Sequence, residues 1–353
     1  MNTDRSGTSI QEREQMNIQT SRTIKGVTQA EWRTLVDTVS AEQSFGWMRA
    51  VEESHVRDMH YVFLREKANV TAAACCFPHV EELFGISMPF LEIRCPLGSS
   101  NAFFSTSPQQ TELLLEGIDA IQRECNTKGV LLLDLKQSEY EGLLPQLEGF
   151  SSVRLDDNTY IDLQFSDFDE YLHSLRTSAR ISIKRTINRA QKRGVTSFFT
   201  SDFSRWKQVV HRLQGYTCEQ HHNYRWHLPP CFYEALETNV QEEAELVLFF
   251  KDDIPLAFAL SLNTPRVAQY KFVGVDPRYR KYDAYFLIYY EGIQRALQRN
   301  QERIYFGPST YEFKKKIGCT RESLFGLVKA SHPLVNLLLH LVLKGFTMMG
   351  KRI

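Results

Sequence analysis

The sequence predicts an α/β (α+β) protein of two related domains, each a mixed β-sheet flanked by helices. Its 353 residues are 42% hydrophobic and 12% aromatic, which is sufficient for more than one core. The segment VFLREKANVTAAA (62–74) has a counterpart in VLFFKDDIPLAFA (247–259), each a strand, a charged turn and a strand with small residues. Segments 116–135 and 291–307 likewise share an amphipathic helix followed by a buried strand. This repetition predicts the two related domains.

Hydrophobic periodicity predicts the elements of the earlier repeat. In chain order they are helices at 29–40 and 43–54, strands at 59–66 and 70–77, an extended segment near 88–94, a helix at 108–127 and a strand at 130–135. This is the order of an antiparallel hairpin followed by a strand, helix and strand crossover.

The later repeat has the same order, preceded by additional helices. The predicted elements are helices at 167–192 (broken near 177), 203–223 and 230–239, strands at 245–251, 255–263 and 266–275, a helix at 283–299 and a short apolar strand at 303–307. The two repeats predict domains at 26–160 and 161–330.

The two ends of the chain have distinct compositions. Residues 1–25 are polar and charged where a secretory signal needs an apolar run, so we expect a disordered tail. Residues 331–353 are expected to form an amphipathic helix around an apolar run at 333–343. That run is too short for a transmembrane helix, which needs about 20 residues. Two interpretations remain: a helix packed on the core, or peripheral membrane contact through 333–346 beside basic residues.

Charge and cysteine content narrow the function classes. Lys and Arg together number 42, as do Asp and Glu, so no whole-chain field favours DNA, and any polyanion site must be local. The seven cysteines are an odd number without paired Cys-x-x-Cys spacing. This pattern is typical of a reducing compartment, and we expect a cytoplasmic protein.

The repeats differ after their last strand. The later one continues as PSTYEFKKKIGC with three consecutive lysines, whereas the earlier one reads KQSEYEGLLPQLEGF. Both keep a tyrosine, Tyr140 and Tyr311, but the lysine cluster belongs to the later repeat alone. We therefore expect the chemistry in the later domain.

The run 273–318 resembles the carboxy-terminal half of the FemAB-like group of GNAT-fold acyltransferases. The matching motif positions are Gly274, Asp276, Phe306, Gly307, Tyr311, Lys314 and Gly318. The segment 175–195 resembles the basic helix of this group, and 227–237 resembles its Leu-Pro-containing helix start. The resemblance covers about 165–330 and implies two tandem GNAT-like domains.

The resemblance implies an N-acyltransferase, of the N-acetyltransferase type, that transfers an acyl group from a thioester to a small amine acceptor. Acyl-coenzyme A or an acyl-carrier protein would be the donor, with no permanently bound cofactor and no metal. Two alternatives remain open. One is an aminoacyl-tRNA-dependent aminoacyltransferase, and the other is a non-catalytic GNAT-fold binding protein.

One segment departs from ordinary GNAT enzymes. Where those have a glycine-rich loop that holds a pyrophosphate through backbone amides, this chain has RYRKYDAYF (278–286). No glycine permits a close backbone approach there. The side chains of Arg278, Arg280 and Lys281 can hold phosphates instead.

Direct attack of an amine on an activated carbonyl needs an oxyanion stabiliser and a proton acceptor. We predict Lys314 as the oxyanion group, because it occupies the family position beside the exit of the last strand. Tyr311 is a candidate proton donor to the leaving group. Glu219 or His221 is the candidate proton acceptor, and the residue types do not decide between them.

Two further sets complete the candidate site. In the basic helix, Arg180 and Lys184 are spaced four residues apart on a face without acidic residues from 171 to 201, and we predict that they bind phosphate. Tyr270 and Lys271 lie on the strand that opens in GNAT folds to admit the donor. Strand alternation turns only one of them toward the cleft.

Metal and hydrolase chemistry are not expected. The segment 216–231 contains three histidines and two cysteines but neither a Cys-x-x-Cys nor a His-x-x-x-His element, so we assign no zinc site. A Gly-x-Ser-x-Gly elbow is also absent from the sequence.

Overall fold

The computed structural model describes residues 16–36, 40–83 and 86–348. The strands are β1 (Met16–Ser21), β2 (His60–Glu66), β3 (Asn69–Leu83), β4 (Ile86–Ile93), β5 (Phe103–Phe104), β6 (Gly129–Lys136), β7 (Ser151–Arg154), β8 (Asn158–Asp162), β9 (Val195–Thr200), β10 (Ala244–Lys251), β11 (Ile254–Asn263), β12 (Val267–Val275), β13 (Arg303–Tyr305), β14 (Thr320–Glu322) and β15 (Leu324–Ala330). The helices are α1 (Gln29–Leu35), α2 (Phe45–Glu53), α3 (Pro108–Glu124), α4 (Gln137–Leu143), α5 (Phe168–Ser174), α6 (Thr177–Lys192), α7 (Phe203–His221), α8 (Pro230–Asn239), α9 (Ala284–Gln298), α10 (Tyr311–Lys316) and α11 (Pro333–Met348).

The chain forms two compact units, each assembled from separate stretches of sequence. The first contains the described residues of 1–37, 57–155 and 324–353, and the second those of 38–56 and 156–323. The predicted continuous domains, 26–160 and 161–330, therefore need correction. The chain crosses to the second unit for α2 and returns to the first for β15 and α11, and such long-range packing leaves no local sequence signal.

The first unit is built on a sheet in the order β1-β2-β3-β4-β6-β15-β7, with β5 paired to β3. One face is covered by α3, whose Leu114 and Ile118 join the core of this sheet. A second core cluster of this unit contains Leu339 and Leu343 of α11 together with Phe90 of β4. Burial of these apolar faces is the main force that holds the helices to the sheet.

The second unit has a sheet in the order β14-β8-β13-β12-β11-β10-β9. Helices α5, α6 and α9 share one core with it, in which Tyr171, Ile183 and Ile293 are buried. Helix α2 packs on α8, where the rings of Trp47 and Phe232 meet edge to face at 5.7 Å. This contact explains why α2 belongs to the second unit.

The predicted fold class is confirmed. Each unit contains an antiparallel hairpin followed by a strand, helix and strand crossover: β2, β3, β4, α3 and β6 in the first, and β10, β11, β12, α9 and β13 in the second. The helices and strands predicted between 59 and 299 are present with ends shifted by a few residues.

The ends of the chain differ from expectation. Part of the predicted disordered tail is wrong, because 16–21 forms β1 and pairs antiparallel with β2. Its residues are exposed or half-buried, as expected of an edge strand, and periodicity of apolar residues alone did not reveal it. Residues 1–15 lie outside the described residues. The helix expected within 331–353 is α11, and no helix in the described part of the chain is long and apolar enough to span a membrane.

Candidate active site

The sheet of the second unit opens between its two central strands. β12 and β13 run parallel and pair only through Val267–Gln269 and Arg303–Tyr305. β13 ends there, while β12 continues to Val275. Among the described strands, the edge of β12 beyond Gln269 therefore has no partner on the β13 side.

A bulge lies in β12 where the opening begins. Ser261 of β11 pairs with Tyr270, whereas Ala259 pairs with Val273, so β12 contains one extra residue at this point. The bulge interrupts the alternation of side chains. Phe272 packs against Phe232 of α8.

Helix α7 lies directly on the far half of β12. A Cβ atom on Gly274 would come within 2.5 Å of the backbone of Leu213 and Gln214, so only glycine fits there. The hydroxyl of Thr217 accepts a hydrogen bond from the Val275 amide at 3.1 Å. These contacts fix the carboxy-terminal end of α7 beside the open end of β12.

The predicted proton acceptors lie at that end of α7. Both Glu219 and His221 are exposed to solvent. Their neighbour Gln220 accepts a hydrogen bond from Arg280 at 2.8 Å, which brings this helix end against the segment that follows β12. The two candidates remain a prediction.

The segment after β12 carries the predicted phosphate ligands Arg278, Arg280 and Lys281. Arg278 binds the carboxylate of Asp276 through two nitrogens, at 2.9 Å and 2.6 Å. This hydrogen bonding holds the pKa of Asp276 below its usual value. Lys281 lies over the ring of Tyr282, 5.2 Å from its centroid. The charge of Arg278 is thus balanced locally, while Arg280 and Lys281 have no acidic partner among the described residues.

The basic helix α6 lines a surface cavity of about 680 Å³. Both predicted phosphate ligands on this helix, Arg180 and Lys184, line it together with Arg185 and Lys192. Lys184 lies 3.4 Å from Asp169, and both side chains are well exposed. In the described part of the chain, Arg180, Arg185 and Lys192 have no acidic partner.

Two arginines at the end of α6 connect it to the start of α9. Arg189 contacts the Asp283 carboxylate at 2.6 Å, and Arg193 donates to the carbonyl of Lys281. These contacts join α6 to the segment after β12. We call the cations of the two segments that have no acidic partner among the described residues the basic face: Arg180, Arg185, Lys192, Arg280 and Lys281.

Lys314, the predicted oxyanion group, makes its hydrogen bonds within the protein. Its side chain is buried, and its ammonium group donates to the carbonyl oxygens of Phe306, Gly307 and Pro308 at 2.8, 2.9 and 2.9 Å. Burial lowers its pKa to about 8. All three hydrogens of the ammonium group face main-chain oxygens, so none is free for an oxyanion in this conformation. The lysine instead holds the turn that leaves β13.

Two other predicted residues, Tyr311 and Tyr270, also make contacts within the protein. The Tyr311 hydroxyl donates to the carbonyl of Asp157 at 2.8 Å, with the Arg321 guanidinium over its ring. Tyr270 packs against Phe306 and Gly292, and burial raises the pKa of its hydroxyl. Tyr270 is a core residue of the second unit.

Lys271 forms a buried ion pair with Glu42, which sequence reasoning missed. The lysine side chain is 9% exposed and the carboxylate side chain 1%. A phosphate cannot reach this ammonium group without displacing Glu42. The partners are 229 positions apart, so no spacing pattern could have identified them.

One of the three histidines in the segment 216–231, His227, is used in packing. His227 stacks on His211 with ring centroids 4.2 Å apart, and its Nε2 lies 3.1 Å from the His211 carbonyl oxygen. Cys218 is buried, whereas Cys231 is exposed.

Comparison with known proteins is consistent with this geometry. Residues 177–315 match the family model described as an acetyltransferase (GNAT) domain. FemX is similar in structure at 12% identity with a TM-score of 0.61, over 91% of this chain and 100% of that chain. The C-terminal domain of a putative lysylphosphatidylglycerol synthetase from Agrobacterium fabrum is similar at 13% identity, with a TM-score of 0.58 over 88% and 94%. A tandem GNAT protein from the clavulanic acid biosynthesis pathway gives 10% identity and a TM-score of 0.57, over 90% and 99%. No curated protein sequence matches the chain.

The open sheet and the family match define a GNAT-type acyltransferase fold. Residues 177–315 thus match the GNAT family model, and the chain as a whole has the same fold as FemX and as a tandem GNAT protein. The resemblance identified from the sequence is confirmed.

Proposed function

We propose that this protein is an N-acyltransferase that moves an acyl group from a thioester donor, acyl-coenzyme A or an acyl-carrier protein, to a small amine. The observation that carries this proposal is the opening between β12 and β13 inside the segment that matches the GNAT model. An extended donor can lie in that opening and bond to the free edge of β12. The remaining steps follow from the groups around it.

The donor phosphates would lie on the basic face. Arg180, Arg185 and Lys192 have no acidic partner in the described residues and line one cavity. Arg280 and Lys281 extend this surface toward the end of β12. Such side-chain contacts replace the glycine-rich backbone loop that this sequence lacks.

The reaction needs no covalent enzyme intermediate. The amine nitrogen attacks the thioester carbonyl carbon, forming a C–N bond, and the C–S bond breaks. One amine proton passes to an acceptor on the protein, and the thiolate takes up a proton and leaves as a thiol. Amides of the free β12 edge are suitably placed to stabilise the developing oxyanion.

Glu219 and His221 are the proposed proton acceptors, because the end of α7 is fixed against the segment after β12. Lys314 becomes a positioning residue in this proposal. By binding three consecutive carbonyls it keeps the 306–308 turn folded, which maintains one wall of the opening.

The proposal is tested by thiol release from acetyl-, octanoyl- and palmitoyl-coenzyme A in the presence of pooled amines. The variant Arg180→Gln/Arg185→Gln/Lys192→Gln should raise the donor KM about tenfold or more through lost phosphate contacts. A matched control, Lys25→Gln/Lys67→Gln/Arg123→Gln, removes three exposed cations from the first unit and should behave as wild type.

The outcome also separates the alternatives. Consumption of a charged tRNA with steep salt dependence, and of none of the thioesters, would indicate an aminoacyl-tRNA-dependent transferase. Consumption of neither donor class would favour a non-catalytic binding protein.

A further inference from the structure

Helix α11 presents a broad apolar face to solvent. The side chains of Leu334, Leu337, Leu338 and Leu341 are 67%, 55%, 62% and 57% exposed. These positions follow i, i+3, i+4 and i+7 spacing, so they form one stripe along the helix. Val335 and Val342, 39% and 37% exposed, widen it. Apolar patches of this kind are uncommon on isolated globular proteins and mark interaction surfaces.

The opposite side of α11 is firmly attached to the first unit. Leu339 and Leu343 are buried against the sheet. Asn336 accepts a hydrogen bond from the Ala330 amide and donates to the Gly149 carbonyl, both at 2.9 Å. His340 pairs with the Ser151 hydroxyl at 3.0 Å. Because the inner side of α11 already packs on the sheet and forms hydrogen bonds with it, the leucine stripe on the outer side is a separate surface.

The charges near the stripe are mainly positive. The sequence has no acidic residue after Glu322. Lys344 lies on the exposed part of α11, and the exposed Lys329 and Lys128 lie at its start, where the Lys128 carbonyl accepts from the Ser331 amide. Glu148 is the nearby acidic residue, and Lys329 lies 3.5 Å from its carbonyl oxygen. The cations therefore exceed the acids around an apolar centre.

We propose that α11 is a membrane-docking surface that binds the interface of an anionic lipid bilayer. Its leucine stripe would enter the boundary between headgroups and acyl chains, and the flanking lysines would contact anionic headgroups. A second copy of the chain fits less well, because it would bring its own lysines to the same rim. This surface is independent of the proposed catalytic site, which lies in the other unit.

Vesicle flotation of the full-length protein tests the proposal. Binding is expected to vesicles of phosphatidylcholine and phosphatidylglycerol in equal parts, to weaken with added salt, and to be much weaker on phosphatidylcholine alone. The variant Leu337→Gln/Leu338→Gln/Leu341→Gln should lower the apparent affinity about tenfold or more, because it removes the buried apolar area. Glutamine is a good helix former, so α11 should persist.

Two controls keep the test decisive. Val80→Gln/Leu144→Gln/Ile254→Gln replaces three aliphatic residues that are 57%, 37% and 41% exposed elsewhere, and should bind as wild type. If the triple variant has a lowered melting temperature, the single variant Leu338→Gln replaces it in the flotation test. This single variant should still weaken vesicle binding severalfold.

Failure of the wild type to bind anionic vesicles would overturn the proposal. Equal binding by wild type and the α11 variants would overturn it too. A wild-type dimer that the triple variant dissociates, without vesicle binding, would show that the stripe is a self-association interface instead.

Discussion

In the first unit the parallel strand pair lies at the end of β4, through Leu91–Ile93, whereas in the second unit it lies at the start of β12, through Val267–Gln269. In the first unit, β4 stops at its pair, and the next residue, Arg94, contacts Asp134 of β6 at 2.6 Å. In the second unit β12 runs on past its pair. The strand before the crossover helix therefore ends at its parallel pair in the first unit and continues beyond it in the second.

The comparison shows that the same order of elements can place the parallel pair at different positions along its strands. Both units have the same hairpin and crossover. The position of the parallel pair along the strand, and the groups that hold the strands beyond it, make the difference. In the second unit, Glu42 pairs with Lys271 of β12, Gly274 of β12 lies against α7, and Lys314 binds the turn after β13.

The largest expected effect is that of Glu42→Ala, which leaves Lys271 as a buried charge on the open strand. We expect the free energy of unfolding to fall by about 3–5 kcal/mol. Urea unfolding measures it. The double variant Glu42→Leu/Lys271→Met should recover most of the loss, since an apolar pair carries no desolvation cost. A loss below about 1 kcal/mol for Glu42→Ala would show that the pair does not hold the strand.

Gly274→Ala should have the next largest effect. The added methyl group meets the backbone of α7 and the Phe258 ring at 2.4–2.5 Å, so the free energy of unfolding should fall by about 2–3 kcal/mol and turnover should drop. The matched control is Gly142→Ala in α4 of the first unit, where nothing lies within 4 Å. It should stabilise the protein by roughly 0.5 kcal/mol. Equal melting temperatures for the two variants would contradict the close packing of α7 on β12.

Lys314→Met should lower the free energy of unfolding by about 1–2 kcal/mol at neutral pH, because three carbonyls lose a donor. The pH dependence has a definite sign. Burial lowers the pKa of Lys314 from 10.5 to about 8, so between these values the unfolded chain binds more protons at this residue than the folded one. Stability from this residue therefore rises with pH in that window and is constant below it.

The difference in unfolding free energy between wild type and Lys314→Met, measured from pH 7 to pH 10, should accordingly increase above about pH 8. A flat or falling difference would mean that the ammonium group is not buried as described. The first unit has no lysine cluster after β6, the corresponding strand, so this pH dependence is expected from the second unit alone.

The smallest effect on stability is expected for Arg180→Gln/Arg185→Gln/Lys192→Gln. These cations have no acidic partner in the described residues, so the free energy of unfolding should change by less than about 0.5 kcal/mol. Donor affinity alone should fall. A large loss of stability would show that the basic face has a structural role and would remove the support for phosphate binding.

Much of the fold was accessible from the sequence because periodicity is a local property. The hairpins, the crossovers and the tandem architecture were predicted from it. The crossing of α2 to the second unit and the return of β15 to the first were not, because both depend on contacts between distant segments. Edge strand β1 was missed because its sequence, MNIQTS, is mostly polar and has no sustained apolar periodicity.

The contacts of the candidate site residues could not be predicted from the sequence. The lysine cluster and the strand that opens were identified, but the sequence could not show that Lys314 binds the main chain or that Lys271 meets Glu42. A sequence motif identifies a residue as important. It does not show whether that residue contacts the substrate or holds the surrounding structure in place.

Hydrogen exchange of the protein with and without acetyl- and octanoyl-coenzyme A tests the central claim most directly, because it reads both sheets in one experiment. We expect the donor to slow the exchange of amides in 267–275 and 303–310 of the second unit. The exchange of amides in 86–93 and 129–136 of the first unit should stay unchanged within error. Protection of the first sheet alone, or of neither sheet at saturating donor, would contradict a donor site in the opening of β12 and β13.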